Sequence, residues 1–197
     1  MGSSEAKARV GACYDERGQY DVAIEWHLRA AGDGIRNAKF NLGNTYMKLG
    51  DREAAGHWFA QAAEEGDDDA MQMVSGDCLA KGDIDQAVAW STRAARLGNR
   101  LAQQSLPLLL QVQAGDTEVM YEIANGFYSK GKAQAASFWW GQATDFGHAE
   151  SAFRLGELHQ DAADFKTAMY WYQRSSLLGH PRGREMVVRM ASGNRLL

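Results

Sequence analysis

The residues that could act as nucleophiles, general bases or metal ligands are two cysteines and five histidines, scattered along the chain. No pair of histidines has the spacing of a zinc site on one helix. Nothing in the sequence activates the thiol of Cys13 or Cys78, and no triad can be assembled around either of them. We therefore predict no catalytic residue, no metal ligand and no cofactor, and hence no enzyme.

An acidic run, Glu64-Glu65-Gly66-Asp67-Asp68-Asp69, could suggest a calcium site. It lacks the alternating ligand spacing and the closing glutamate of a calcium loop. Its first acids end one predicted helix and its later acids begin the next, where negative charge suits the helix dipole. We interpret the run as a solvated capping loop.

Composition excludes several classes of partner. The formal net charge of -4 is small and shows no basic excess, which argues against nucleic acid. No run of about 18 apolar residues occurs, so no membrane span is expected. Two cysteines do not make a disulfide framework, and the first residues lack the apolar stretch of a secretory signal. A cytoplasmic location is expected.

Tryptophan marks an internal repeat. Five tryptophans recur at three equal steps and one longer step, and three columns of small residues keep the same steps. Four columns in one register indicate repeats of about 32 residues, the signature of a solenoid. The tryptophans are Trp26, Trp58, Trp90, Trp139 and Trp171, and the glycines that close the repeats are Gly34, Gly66, Gly98, Gly147 and Gly179.

Each repeat is predicted to contain a first and a second helix, packed antiparallel. In the second repeat, Gly50 ends the first helix and Asp51 caps the second. The first helix carries Ala38, Leu42 and Tyr46 at helical spacing, and the second carries Ala55, Trp58, Phe59, Ala62 and Ala63. We expect the tryptophan column to lie in the core and the chain to form a right-handed, all-α solenoid stabilised by stacking.

The step from Trp90 to Trp139 is longer than one repeat but falls short of two. We predict an irregular fourth repeat that has lost its second helix, with a local break at residues 99–116. Pro107 should kink its first helix or restart it near Ser105. Trp140 is expected either to pack on this repeat or to be an exposed anchor. The predicted single domain, residues 1–197, contains repeats at about 5–34, 35–66, 67–98, 99–115, 116–147 and 148–179 and a capping helix at 180–197.

The order Ala38-x-x-x-Leu42-Gly43-x-x-Tyr46, then Ala55-x-x-Trp58-x-x-x-Ala62-Ala63-x-x-Gly66, resembles Sel1-like repeats. The short loop between Gly43 and Ala55 is closer to tetratricopeptide repeats. The resemblance covers nearly the whole chain and implies a scaffold or adaptor that binds another protein. Ser75 and Ala124 depart from the pattern, since they replace the glycine found at Gly11, Gly43 and Gly156.

The resemblance also implies that the first helices line a concave face and present three columns of residues to a ligand. The columns are Ala8, Phe40, Gln72, Tyr121 and Phe153; Ala12, Asn44, Gly76, Asn125 and Glu157; and Asp15, Met47, Leu79, Tyr128 and Gln160. Eight of these residues are predicted to bind a peptide or protein: Phe40, Asn44, Met47, Tyr121, Asn125, Tyr128, Phe153 and Glu157. The asparagines would bond the peptide backbone, because a carboxamide both donates and accepts. In the alternative interpretation the asparagines are solvated and the aromatic residues pack between first helices.

Two further functions remain open beside the adaptor. One is a structural or oligomerisation module, in which copies of the chain self-associate. The other is a regulatory interaction domain of a larger protein. All three functions require a protein partner and none requires a bound cofactor.

Overall fold

Residues 3–192, which the computed structural model describes, form twelve α-helices joined by short turns. They are α1 (Ser3–Glu16), α2 (Tyr20–Gly32), α3 (Ala38–Leu49), α4 (Arg52–Glu64), α5 (Asp68–Lys81), α6 (Ile84–Arg96), α7 (Arg100–Gln113), α8 (Thr117–Ser129), α9 (Ala133–Asp145), α10 (Ala149–Asp161), α11 (Phe165–Leu177) and α12 (Pro181–Ala191). These residues contain no strand, and consecutive helices pair as hairpins. The prediction of an all-α solenoid of helix pairs is confirmed.

Glycine and aspartate set the turn inside a hairpin. Gly50 follows α3 with a φ of 84°, a left-handed conformation that closes the last turn. Asp51 then caps α4, because its carboxylate accepts a hydrogen bond from the amide of Ala54 (3.0 Å). In the matching turn after α10, Ala163 takes the left-handed position with a φ of 58°.

The helices fall into two compact units, which we call the N-terminal unit (Met1–Leu79 and Asp83–Leu109) and the C-terminal unit (Ala80–Gly82 and Leu110–Leu197). One core cluster of the N-terminal unit is built largely from small side chains of α4 to α7. It contains Ala62, Ala63, Ala70, Met71, Ala94 and Ala102, with Phe40, Val74, Trp90 and Ala95 packed against them. Small residues let these helices approach closely. The predicted repeat boundaries and single domain stay a prediction.

The C-terminal unit consists of the hairpins α8–α9 and α10–α11, followed by α12. Phe153 and Tyr172 lie at the centre of one core cluster, against which α12 places Met186, Val187 and Met190. α12 therefore covers the apolar face of the last hairpin, as predicted for the capping helix. The predicted helix extends to residue 197, and residues 193–197 lie outside the described part of the chain.

The column that is buried in every hairpin lies one residue after the tryptophan column. Of the five tryptophans only Trp139 is buried, at 2% exposure; the others are half-buried. The following residue is buried in every repeat that has a second helix: His27, Phe59, Ser91, Trp140 and Tyr172.

The buried side chain packs onto the first helix of its own hairpin, where the sequence places a glycine at the facing position in several repeats. A Cβ added at Gly43 would lie 2.5 Å from the ring of Phe59, and one at Gly156 would lie 2.5 Å from the ring of Tyr172. Glycine is therefore needed opposite these two rings. Where serine replaces glycine at Ser75, the facing residue is the small Ser91.

Proline does not interrupt α7. The helix runs from Arg100 to Gln113 with Pro107 in its interior, so the predicted restart near Ser105 is wrong. Proline lacks an amide hydrogen and removes one helical hydrogen bond. The helix survives because residues on both sides are anchored: Ala102 is fully buried and Leu109 is 4% exposed. α7 is followed directly by α8, so it has no second helix.

Candidate functional site

A cleft of about 760 Å³ opens in the C-terminal unit along the first helices α8 and α10 and the closing helix α12. Its lining residues are Asn125, Tyr128, Trp140, Phe153, Arg154, Glu157, Leu158, Gln160, Asp161, Tyr172, Arg182, Glu185, Met186 and Arg189. Four of the residues predicted to contact a ligand are thus brought together: Asn125, Tyr128, Phe153 and Glu157. We refer to this feature as the cleft.

Trp140 forms part of the cleft floor. It is 2% exposed, so the prediction of an exposed anchor is wrong. Its ring lies 5.3 Å from that of Tyr128, and its Nε1–H donates a hydrogen bond to Oδ1 of Asn125 (3.2 Å). Because an indole can only donate, this bond fixes which end of the Asn125 amide faces the ring. The NH₂ group is left as the part of Asn125 that can donate to a ligand.

Tyr172 orients a second carboxamide in the same way. Its hydroxyl donates to Oε1 of Gln160 (3.0 Å), and burial raises the pKa of Tyr172 to about 12. The phenol therefore stays protonated and remains a donor at neutral pH. Gln160, like Asn125, keeps its NH₂ group for a ligand. The cleft thus contains two amide donors held in place by buried aromatic residues.

Glu157 is occupied by two arginines. Its Oε2 accepts from Arg154 (3.0 Å) and its Oε1 accepts from Arg182 (3.3 Å). Arg154 also pairs with Glu150 (3.2 Å), and its hydrogen bond with Tyr121 raises the pKa of Arg154 above its ordinary value. Both carboxylate oxygens of Glu157 are therefore engaged within the protein. Its role in the structure is to hold the two guanidinium groups at the cleft.

Phe153 lies at the base of the cleft and is only 2% exposed. The imidazole of His180 stacks on it at 4.7 Å and 25°, and the ring of Tyr172 lies 5.4 Å away. The guanidinium of Arg182 lies 4.3 Å from the centre of the Phe153 ring. The predicted apolar contact surface is therefore largely covered at this residue, whereas Tyr128 is 47% exposed.

Sequence reasoning missed the contribution of α12. Glu185 and Arg189 line the cleft and lie one repeat length after Phe153 and Glu157. They continue the first two ligand columns by one more repeat. The signal was therefore present in the repeat spacing, but the last helix was interpreted only as a cap. Asp161, Glu185 and Arg189 are exposed at the cleft.

The other predicted contact residues lie elsewhere. Tyr121 packs beside His148 at 4.9 Å in the C-terminal unit. Phe40, Asn44 and Met47 belong to the N-terminal unit. Phe40 is half-buried against Phe59 (5.6 Å), Asn44 is half-buried, and Met47 is 44% exposed.

The N-terminal unit contains a buried polar cluster that the sequence did not predict. His27 and Thr45 are fully buried. Asp15 Oδ2 accepts a hydrogen bond from the Thr45 hydroxyl (2.9 Å) and lies 3.4 Å from His27 Nε2 and 3.7 Å from Lys48 Nζ. Among the described residues, none hydrogen-bonds to His27 Nδ1 or Asp15 Oδ1, and both atoms are buried. Burial lowers the pKa of His27, and the neighbouring Asp15 only partly opposes that effect.

Between residues 3 and 192, no group of three or more histidine, cysteine, aspartate or glutamate side chains could hold a metal ion. No helix in the same range is long and apolar enough to cross a membrane.

Comparison with family models gives four matches. The Sel1 repeat model matches residues 4–34, 72–99 and 149–180, and the tetratricopeptide repeat model matches residues 37–65. Together the matched ranges cover more than half of the chain. No curated protein sequence matches it.

Several solved structures are similar in fold. The protective antigen c5321 of uropathogenic Escherichia coli, which displays an SLR fold, is 23% identical, with a TM-score of 0.48 over 96% of this chain. The match takes in 49% of the antigen, so this chain spans about half its length. A Sel1 repeat protein of Oxalobacter formigenes is 22% identical, with a TM-score of 0.42 over 95% of this chain and 76% of that one. The TPR2AB domain of yeast Sti1, solved with pHSP90, is 13% identical, with a TM-score of 0.48 over 98% of this chain and 87% of that one.

Proposed function

Because this chain belongs to the Sel1-like and tetratricopeptide repeat family, whose members generally mediate protein–protein interaction, we propose that it is a non-catalytic adaptor that binds a peptide segment of another protein in the cleft. The cleft would be the part of the concave face that is built by α8, α10 and α12. Proteins of this repeat family are generally scaffolds and not enzymes.

The observation that carries the proposal is the fixed amide of Asn125. Its oxygen is held by Trp140 at 3.2 Å, so its NH₂ group is ready to donate before a ligand arrives. Pre-organised donors cost little entropy on binding. A backbone carbonyl of a peptide is the acceptor that such a donor fits, and Gln160 offers a second donor of the same kind.

Apolar and charged contacts would complete the site. Tyr128 is exposed at the cleft and supplies a rigid aromatic surface, while Leu158 and Met186 add aliphatic surface. Arg189 and Glu185 offer charges of both signs to side chains of the peptide. Glu157 would act indirectly, since its two oxygens already hold Arg154 and Arg182.

The test begins with peptides selected from a phage-displayed library on the wild-type chain, whose Kd values are then measured by calorimetry. Asn125→Ala should weaken binding by about 1 kcal/mol, or roughly fivefold, through loss of one hydrogen bond. Tyr128→Ala should weaken binding by at least about 1 kcal/mol, as expected for an aromatic contact. Gln173→Ala, an exposed carboxamide on α11 that does not line the cleft, serves as the matched control.

Peptides that bind both cleft variants with the wild-type affinity would show that the cleft is not the site. Asn44→Ala tests whether the N-terminal unit also contributes, because Asn44 occupies the same column as Asn125. We propose Phe40, Asn44 and Met47 as a separate contact surface of the N-terminal unit.

A further inference from the structure

Two histidines occupy the same place at the start of successive first helices. His148 is the N-cap of α10 and His180 is the N-cap of α12, and they lie one repeat length apart. In each, Nδ1 accepts a hydrogen bond from the amide three residues later, that of Ser151 (3.2 Å) or Gly183 (3.2 Å). Each imidazole therefore caps its helix with one nitrogen and keeps the other free for a second contact.

The second nitrogen reaches back to the preceding first helix. Nε2 of His180 lies 2.7 Å from Oε2 of Glu150 on α10, and Nε2 of His148 lies 3.3 Å from Oε1 of Glu118 on α8. Because Nδ1 faces an amide donor, the ring proton must sit on Nε2, which donates to the carboxylate. Each histidine thus connects its own helix to the preceding first helix, and both of these helices line the cleft.

The same rings also pack on the first ligand column. His180 stacks on Phe153, and His148 lies against Tyr121. A single side chain therefore caps one helix, bonds the previous helix and supports an aromatic residue. Cap, bond and stack act together to fix α12 against α10.

The N-terminal unit shows that an asparagine can replace the histidine in two of these contacts. Asn99, the residue after the closing glycine of the third repeat, accepts from the amide of Ala102 at 2.9 Å. Its Nδ2 donates to Asp68 (3.1 Å) and Asp69 (2.9 Å) on the preceding first helix. The residue after the closing glycine of a repeat therefore connects two first helices in several repeats and not in one turn alone.

We infer that His180 is a positioning residue for ligand binding: by tying α12 to α10 it holds Glu185, Met186 and Arg189 in register with the rest of the cleft. The inference rests on the proposed function of the cleft. His148 performs the same task between α8 and α10. Its contribution is smaller, because its hydrogen bond is longer and the side chain of Glu118 is 76% exposed, against 30% for Glu150.

The experiment compares His180→Ser with His180→Asn. Serine keeps the helix cap and removes both the bond to Glu150 and the stack on Phe153. Asparagine keeps the cap and, as at Asn99, can keep the bond. The probe is a phage-selected peptide whose binding is already known to require Asn125, and its Kd is measured by calorimetry.

We expect His180→Ser to weaken this peptide about tenfold, in line with the loss of a charge-assisted hydrogen bond. His180→Asn should restore the affinity to within about twofold of the wild-type value, because a carboxamide can replace the helix cap and the bond to Glu150 and only the stack on Phe153 is lost. The matched variant His148→Ser should cause a smaller loss than His180→Ser. Circular dichroism and urea unfolding establish that each variant is folded at the temperature of the assay.

Glu150→Ala breaks the same link from the other side and serves if His180→Ser does not fold. Arg154 retains Glu157 as a partner in that variant. Wild-type affinity in His180→Ser or in Glu150→Ala, while Asn125→Ala weakens binding, would overturn the inference and leave the proposed function intact. Failure of His180→Asn to restore affinity would also overturn it. If no selected peptide depends on Asn125, the proposed function fails and the inference fails with it.

Discussion

Replacing Gly156 by alanine is expected to destabilise the C-terminal unit. The new Cβ would lie 2.5 Å from Cδ1 and Cε1 of Tyr172, far inside the separation of about 3.5 to 4.0 Å at which carbon atoms attract. Tyr172 cannot move aside freely, because it is fully buried and its hydroxyl is bonded to Gln160 at 3.0 Å. The strain must therefore be taken up by the core.

Two contributions lower the free energy of unfolding and one raises it. Overpacking a core costs about 1–3 kcal/mol, and loss of the Tyr172–Gln160 hydrogen bond adds about 1 kcal/mol. Alanine in place of glycine inside a helix returns about 1 kcal/mol. The free energy of unfolding should therefore fall by about 1–3 kcal/mol.

Gly126→Ala provides the matched control. Gly126 lies inside α8, and a Cβ there would meet no atom within 4 Å. The control should raise the free energy of unfolding by about 0.5–1 kcal/mol, because only the helix propensity changes. Both variants are compared with the wild type by urea unfolding, followed by circular dichroism and tryptophan fluorescence.

A double variant distinguishes the contact from other causes. In a Tyr172→Ser background, which copies the small residue Ser91, the ring is absent and alanine at Gly156 should stabilise the protein as Gly126→Ala does. If alanine is equally destabilising with and without the ring, or is harmless in the wild type, the explanation by ring contact is wrong.

Three further predictions concern single positions. Ala163→Gly should raise the free energy of unfolding by about 0.5–1 kcal/mol in urea titrations, because Ala163 has a φ of 58°, whereas Ala162→Gly at a φ of -81° should lower it. Burial lowers the pKa of His27 from 6.5, so its contribution to the free energy of unfolding is fully present above pH 6.5 and is lost as the pH falls toward the folded-state pKa. His27→Phe should reduce the dependence of the free energy of unfolding on pH, measured by unfolding at several pH values. Burial raises the pKa of Tyr172 from 10.0 to about 12, so its contribution to the free energy of unfolding is fully present below pH 10 and is lost as the pH rises toward 12. A titration followed by absorbance at 295 nm should show one tyrosine that ionises at higher pH than the others, and Tyr172→Phe should remove it.

The fold could be predicted because its information is periodic. A constant repeat spacing, glycines at the repeat ends and aspartate after Gly50 are visible in one sequence. These features are enough to predict the helices, the turns and the stacking, because each turn is determined by residues that are adjacent in the sequence. The behaviour of α7 was harder to predict, because the packing of Ala102 and Leu109 on both sides of Pro107 depends on contacts that are distant in sequence.

The lining of the candidate site could be predicted in part, and its binding of a ligand stays a prediction. The columns led to Asn125, Tyr128, Phe153 and Glu157, which the structure brings to one cleft. Their chemistry could not be predicted, because it depends on neighbours from other helices. The orientation of the Asn125 amide is set by Trp140, for instance.

Which column is buried in every repeat was harder to predict for a related reason. The tryptophan column is uniform in type and includes the buried Trp139, while the column that is buried throughout varies from His27 to Phe59 and Tyr172. That column is regular only in its pairing with a small residue at the facing position of the first helix, which becomes visible once both helices of a hairpin are in place.

The pairing of Gly43 with Phe59, and of Gly156 with Tyr172, has a consequence for how such a chain can change length. Both partners belong to the same hairpin, so a duplicated or deleted hairpin carries its own matched pair with it. Recombination between repeats then leaves this contact untouched, and the contacts between hairpins are the ones that must be adjusted. A cut inside a hairpin would instead separate a ring from the glycine that accommodates it, which makes the boundary between hairpins the natural place to graft or exchange repeats.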